Sequence, residues 1–481
     1  MSLQKFTGAI LVLFMFAAPA VAQDTWSLQR CVDYALANNI SVKQQDVQKR
    51  LADLTLKQSQ MSQLPNLNGA AGGGLNFGRN ADPATYAFVT KSYFASDLNL
   101  TMDLTIFNWF TKRNTIAANK LEAQANGFLM EKARNDLGFN VANAFLQILL
   151  YKEQVKVNEV QVKLTLNSLE NTKKLVQAGS VPESNQADLE ASLAQDSTNL
   201  VTAQNNEILS VLQMKALLNL GFDIPFQPEV PANIASLPLP RMDEVAPEMV
   251  YSAALATYPL IKTDELRIQS AKKALAAAKG ALYPSLSFSA GMGTQYSENY
   301  SERDFSNIKG PFIDTLGTVK VGGGDYDVLG RPRYDVGSRT IPFNTQLSNN
   351  FYQNVGLRLR IPILNGWQQR TAVNRAKLDV YNKELTRDLD NQKLRQDIYT
   401  AHANAIAAIQ KYSASSVGVT SAQKSFDFAT KRYNLGLLNT IDYITIQTKL
   451  FKAQIDKVSA QYDYIFKMKL LEFYRDQKIA L

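Results

Sequence analysis

The chain has 481 residues, 46% of them hydrophobic and 20% charged, with 51 Lys and Arg against 43 Asp and Glu, one histidine and one cysteine. His402 and Cys31 alone cannot assemble a zinc cage, a multi-histidine metal site or a disulfide framework. The formal charge of +8 is spread over scattered Lys and Arg that form no basic run, which argues against nucleic acid as a partner. His402 sits in the helix-forming run 399–406 with no Gly-rich elbow nearby, and no nucleophile–base pair, phosphate loop or metal cluster appears, so neither an enzyme nor a cofactor is expected.

Residues 1–22 read as a secretory signal peptide: Lys5, the apolar run Gly8–Phe16, then Ala20-Val21-Ala22 before the expected cut. A lipid anchor needs a cysteine directly after the cut, whereas Cys31 lies nine positions beyond Ala22 and is expected as a small buried helix residue. No later stretch approaches the roughly 20 apolar residues of a membrane helix. Any membrane crossing therefore uses strands.

The sequence matches itself. Residues 34–77 fall on 253–296 at a constant offset of 219, with Ala35-Leu36-Ala37 on Ala254-Leu255-Ala256, Pro65 on Pro284, and Gly72 and Gly74 on Gly291 and Gly293. From about 98 to 220 the match resumes at an offset of 257, with Asn108 on Asn365, Arg113 on Arg370 and Gly179 on Gly436. The difference of 38 between the offsets places an insertion in the second copy, between about 297 and 354. Two tandem repeats result, 23–220 and 248–481, joined by a Pro-rich, extended linker at 221–247.

Within each repeat the hydrophobic period changes in a fixed order. Helical spacing covers about 28–63 and 244–282, and a β-hairpin follows at about 66–108 and at about 285–365, the latter with a long, polar, Gly-rich outer loop at 297–350. Leu98, Leu100, Met102, Leu104 and Ile106 alternate with Asn99, Thr101, Asp103 and Thr105, and Val355, Leu357, Leu359, Ile361 and Ile363 alternate with Gly356, Arg358, Arg360 and Pro362. Segments of about 10 residues suit tilted membrane strands with one lipid face and one polar face. Next, about 110–177 and 367–434 contain no proline, so roughly 67 residues can form a single helix of about 100 Å. Gly179 and Gly436 end these helices. Return helices follow at 183–220, opened by the capping-box-like Ser180-Val181-Pro182-Glu183, and at 440–476, opened by Asn439–Asp442. The first helix of each repeat has the length to stack end to end with its return helix beside the long one, forming coiled coils whose polar faces line water.

Amphipathic hairpins on a soluble core would show the same alternation. Aromatics at the strand ends (Tyr93, Phe94, Phe107, Trp109 and Phe110, then Tyr296, Phe351, Tyr352 and Trp367) favour a membrane, with Trp109, Phe110 and Trp367 as its interfacial belt. Asp103, Arg358 and Arg360 share the polar strand face and are expected to line the barrel lumen, the alternative being rim charges outside the lipid band. Four strands cannot close a barrel, because closure takes about eight, so the barrel is shared between chains.

This order of elements resembles the TolC-like outer-membrane efflux protein family, or outer membrane factors, over essentially the whole mature chain. The resemblance implies a mixed α and β membrane protein: a homotrimer in which each chain gives four strands to one shared twelve-stranded transmembrane β-barrel, continued by a long α-helical coiled-coil periplasmic tunnel. It places the protein in the outer membrane of a Gram-negative bacterium, as the passive exit channel of a tripartite efflux pump or a type I secretion system. The implied partners are the lipid bilayer, a periplasmic adaptor (membrane fusion) protein and an inner-membrane transporter of RND, ABC or MFS type. The alternative is a surface or periplasmic coiled-coil adhesin or scaffold without a conducting pore.

The segment Tyr433-Asn434-Leu435-Gly436-Leu437-Leu438-Asn439-Thr440-Ile441-Asp442 resembles the tip motif of that family. By that resemblance the pore constriction at the periplasmic tip is formed by Asp442 and Thr445, with Asn185 and Asp188 at the matching positions of the first repeat. The tip turns Gly179-Ser180 and Gly436-Leu437 would dock the adaptor. Asn185 stands where the family's acidic latch residue is expected, so that salt bridge is absent or replaced. Three convergent Asp442 carboxylates would attract cations; otherwise Asp442 is a solvated acid favourable to its helix N-terminus.

Overall fold

The computed structural model describes residues 25–81, 88–230 and 239–477. The expected signal segment 1–22 lies outside the described residues, as do parts of the 79–91 loop and of the 221–247 linker. The first half of the chain runs β1 (Thr25–Trp26), α1 (Leu28–Asn38), α2 (Ile40–Met61), β2 (Asn66–Asn76), β3 (Arg79–Ala81), β4 (Phe88–Thr90), β5 (Tyr93–Phe107), α3 (Thr111–Gln177), α4 (Glu183–Leu218) and β6 (Gln227–Pro228). The second half runs α5 (Pro247–Thr257), α6 (Pro259–Gly280), β7 (Ser285–Ser297), β8 (Ser301–Phe312), β9 (Thr315–Val321), β10 (Gly324–Leu329), β11 (Arg333–Thr340), α7 (Phe343–Asn349), β12 (Tyr352–Arg360), α8 (Gln368–Asn434) and α9 (Thr440–Asp476). Two compact units form, one from residues up to 54, 120–271 and 379 onward, the other from 55–119 and 272–378.

The first unit is helical. α3 and α8 each run 67 residues, as the absence of proline predicts. Three apolar cores hold the unit. The largest gathers Cys31, Val141, Phe145, Ile148, Met214 and Leu218 around Trp26; a second joins Val250, Ile398, Met468 and Leu471; a third joins Phe426, Ala429, Tyr443 and Leu450. Each fully buried aliphatic side chain contributes about 1.5–3 kcal/mol. Cys31 is fully buried, and burial pushes its thiol up to about 12, an inert packing residue as expected.

The leading helices are not continuous over 28–63 and 244–282 as the periodicity suggests. Asn39 turns extended (ψ 132°) and separates α1 from α2. Its side-chain oxygen accepts from the Ser41 amide at 2.8 Å, and its amide donates to the Leu217 carbonyl at 2.8 Å. The start of α2 is thereby joined to the end of α4, in keeping with the expected end-to-end stacking. In the second half Tyr258 is extended because Pro259 follows it. The linker at 221–247 is not simply extended either: β6 pairs in parallel with β1, the Phe226 ring packs tilted against Trp26 with centroids 5.5 Å apart, and Val245 is fully buried.

The second unit is built on a four-stranded antiparallel sheet in the order β12-β7-β5-β2. Its register puts Leu67, then Leu98, Leu100 and Met102, then Phe288, Ala290 and Met292, then Val355 and Leu357 on one face. Asn68, Asn99, Thr101 and Asp103, Ser287 and Ser289, and Arg358 take the other. Gly291 and Gly293 sit in the crowded centre of the polar face: a Cβ on Gly293 would lie 2.7 Å from Asn99 Oδ1 and 2.8 Å from the Leu98 carbonyl.

Three strand expectations change. A bulge between Thr105 and Phe107 removes Ile106 from the alternation and puts Phe107 opposite Leu286. β12 ends at Arg360, so Ile361 and Ile363 lie beyond the ladder. The 297–350 segment is not an irregular loop: β8 pairs with β11, β9 pairs with β10 across the positive-φ glycines Gly322 and Gly323, and α7 follows.

Candidate functional site

In the sheet unit the site is the polar face and its surroundings. Asp103 lies opposite Ser289, Arg358 opposite Ser287 and Arg360 opposite Ser285, which puts all three expected lumen residues on one face. The opposite face carries Leu67, Val355 and Leu357 at 65%, 74% and 68% exposure. An apolar face left this open across four strands is stable against hydrocarbon and unfavourable against water. The outer strands β2 and β12 each keep one unpaired edge within the chain.

The aromatics expected to form an interfacial belt occupy the strand-to-helix turns. Trp109, Phe110 and Trp367 all have positive φ (49°, 61° and 66°), a strained region for bulky side chains. Phe107 packs against Trp109 and Phe110 with ring centroids 5.6 Å away in both cases, and Trp109 lies 4.7 Å from the Tyr283 ring. Gly280 makes this possible, since a Cβ there would meet the Trp109 carbonyl at 2.6 Å. Arg370 sits over the Trp367 ring at 5.3 Å.

In the helical unit the site is the pair of tip turns, and both use the same geometry. Gly179 and Gly436 have φ of +69° and +71°. The amide of Ser180 donates to the Leu175 carbonyl at 2.9 Å, and that of Leu437 donates to the Arg432 carbonyl at 2.8 Å. This is the Schellman closure of a helix, which needs the left-handed conformation that glycine adopts without strain. The expected Ser180 capping box does not form: the N-cap of α4 is Pro182, whose ring carries no group that could accept from the first-turn amides. At the other turn Asn439 caps α9, accepting from the Asp442 amide at 2.7 Å and donating to the Asp442 carboxylate at 2.8 Å.

The four expected constriction residues are divided. Asp188 and Thr445 line one groove of about 800 Å³ between α4 and α9, floored by Gln154 and Asn158 of α3. Asn185 lines a second cavity of about 880 Å³ together with Ser180, Gly436 and Leu437. Asp442 lines neither; it is exposed in the first turn of α9. Thr445 is also exposed, its hydroxyl donating to the Ile441 carbonyl at 2.8 Å.

Two polar networks near the tip are absent from the expectations. The Tyr433 hydroxyl lies 3.1 Å from Thr172 Oγ1 and 3.3 Å from Thr440 Oγ1, with its ring stacked on Tyr443 at 4.4 Å. This chain is neutral and does not include Asn185. Deeper in, Gln161 and Thr165 of α3 donate to the Asp196 carboxylate of α4, and Gln447 of α9 donates to Thr165. Polar residues recurring on an otherwise apolar helix stripe are the sequence signal for both. A third polar feature lies elsewhere in the unit: Asp264 is 4% exposed, with Oδ2 buried and unpartnered among the described residues. Burial, then the facing Asp390, pushes its carboxyl up to about 6.

The sequence profile of the outer membrane efflux protein family matches residues 31–220 and 250–467, most of the chain in two blocks. The chain belongs to that family; it is an outer-membrane efflux channel and not an enzyme. Among similar sequences, the outer membrane efflux protein BepC of Brucella suis is 20% identical over 90% of this chain and 81% of its own. Among solved structures, the outer membrane channel CmeC of Campylobacter jejuni superposes with a TM-score of 0.74 at 17% identity, covering 94% of this chain and 86% of its own. The outer membrane protein VceC of Vibrio cholerae gives 0.72 at 15% identity, covering 93% and 96%. These structural likenesses establish a common fold.

Proposed function

We propose that three copies of this chain close one twelve-stranded transmembrane barrel, each giving the sheet β12-β7-β5-β2, and that their long helices form a periplasmic tunnel ending at the Gly179 and Gly436 turns. The channel is the passive outer-membrane exit of a tripartite efflux pump or a type I secretion system. A periplasmic adaptor served by an inner-membrane transporter docks at Gly179-Ser180 and Gly436-Leu437. Asp103, Arg358 and Arg360 line the lumen, and Asp442 with Thr445 narrows the periplasmic end.

The observation that carries this reading is the two-faced sheet with two free edges: its apolar face matches lipid, its polar face matches water, and four strands fall short of the about eight that close a barrel. Light scattering of the detergent-solubilised mature protein tests it. A particle of three chains is the expected result. A folded monomer would overturn the shared barrel.

A further inference from the structure

Below the tip, α4 and α9 face each other across the groove of about 800 Å³, and the relay between them passes through α3. The Asp196 carboxylate of α4, 8% exposed, accepts from Gln161 at 3.1 Å and from the Thr165 hydroxyl at 2.7 Å. The same Thr165 oxygen accepts from the Gln447 amide of α9 at 2.8 Å. Thr165 is fully buried and Gln447 is 1% exposed. The Gln447 side-chain oxygen is buried without a partner among the described residues, so the hydrogen bond from its Nε2 to Thr165 is what holds that head group.

We propose that Thr165 is a positioning residue for the channel's constriction, a single hydroxyl through which α4 and α9 are held at fixed register so that Asp442 and Thr445 stay at the pore. This rests on the reading of the tip as the narrow end of the channel. The chemistry favours a lock over passive packing. A hydroxyl that donates to one helix and accepts from another has its hydrogen position fixed by both. Sliding α9 along α3 by one residue, about 1.5 Å, separates Gln447 from Thr165 and leaves both buried amide atoms unpaired. Apolar contacts tolerate such a shift; this contact does not. Asp442 lies five positions before Gln447 on the same helix, so any displacement of Gln447 along the helix is passed to the carboxylate.

Single-channel recordings test the lock. Thr165→Val keeps the shape and removes the hydroxyl, Thr165→Ser keeps the hydroxyl, and Gln447→Met removes the amide from the other side. Gln447→Met, which loses one hydrogen bond of ordinary net strength, is expected to raise the ratio of open to closed dwell time roughly fivefold, and Thr165→Val, which loses the bonds to both Asp196 and Gln447, is expected to raise it further. Both should also lower the preference for cations, while Thr165→Ser behaves as wild type. In an Asp442→Asn background, Thr165→Val should leave ion preference unchanged. Wild-type gating in Thr165→Val and Gln447→Met, or equal disturbance in Thr165→Val and Thr165→Ser, would overturn the proposal. A wild-type protein that forms no channel would instead overturn the reading on which it rests.

Discussion

The two units place their apolar side chains in opposite ways. In the helical unit Ile148, Met214, Ile398 and Leu471 are at most 0% exposed; in the sheet unit Leu67, Val355 and Leu357 are at least 65% exposed. Both follow the same hydrophobic rule with different surroundings. The helices bury their stripes against one another, as elements in water do, and the proposed barrel accounts for the open face of the sheet by giving it hydrocarbon as its solvent.

The sharpest way to break this contrast is a pair of substitutions with opposite readouts. Ile148→Ala leaves a cavity in the main helical core and should lower unfolding stability in denaturant by about 2–5 kcal/mol, with insertion into membranes retained. Leu357→Arg should cost about 2–4 kcal/mol at the lipid face and reduce recovery of assembled protein from membranes, with the helices' circular dichroism unchanged. If Leu357→Arg assembled as well as wild type, the exposed face would not be facing lipid.

A smaller effect separates water-facing burial from lipid-facing exposure by pH. Asp264, in the helical unit, has its carboxyl raised to about 6 by burial and by the nearby Asp390, with Arg267 and Arg387 opposing the shift. The folded state therefore holds the proton more tightly than the unfolded state does. The stability conferred by that proton is present below the ordinary carboxylate range and lost as pH rises through about 6. Asp264→Asn should match wild type in Tm near pH 4 and exceed it by a few degrees at pH 7.5. A constant difference between the two proteins across that range would refute the assignment.

Much of this architecture was readable from the chain. α3 and α8 were legible because proline is absent over 111–177 and 368–434, and the Gly179 and Gly436 turns because a left-handed closure selects glycine. β5 was legible through its period of two. The arm at 301–340 was not, because register shifts at Arg333/Asp335 and Val336/Gly337 break that period and glycines and charges dilute it. The break at Asn39 was hidden because an asparagine supplies it through side-chain bonds, whereas its counterpart at Tyr258 is marked by Pro259. The turn pattern marked Asn439–Asp442 as the start of α9, and the family resemblance gave Asp442 its expected place at the constriction. The Thr165 relay depends on which of three helices meet, and no local pattern encodes that.

The central claim is that copies of this sheet enclose water. Planar-bilayer recording of the purified mature protein tests it most directly, with Asp442→Asn measured beside wild type. Discrete, cation-preferring openings that enlarge in Asp442→Asn are the predicted result. Folded protein that inserts into the bilayer and passes no discrete current would contradict it.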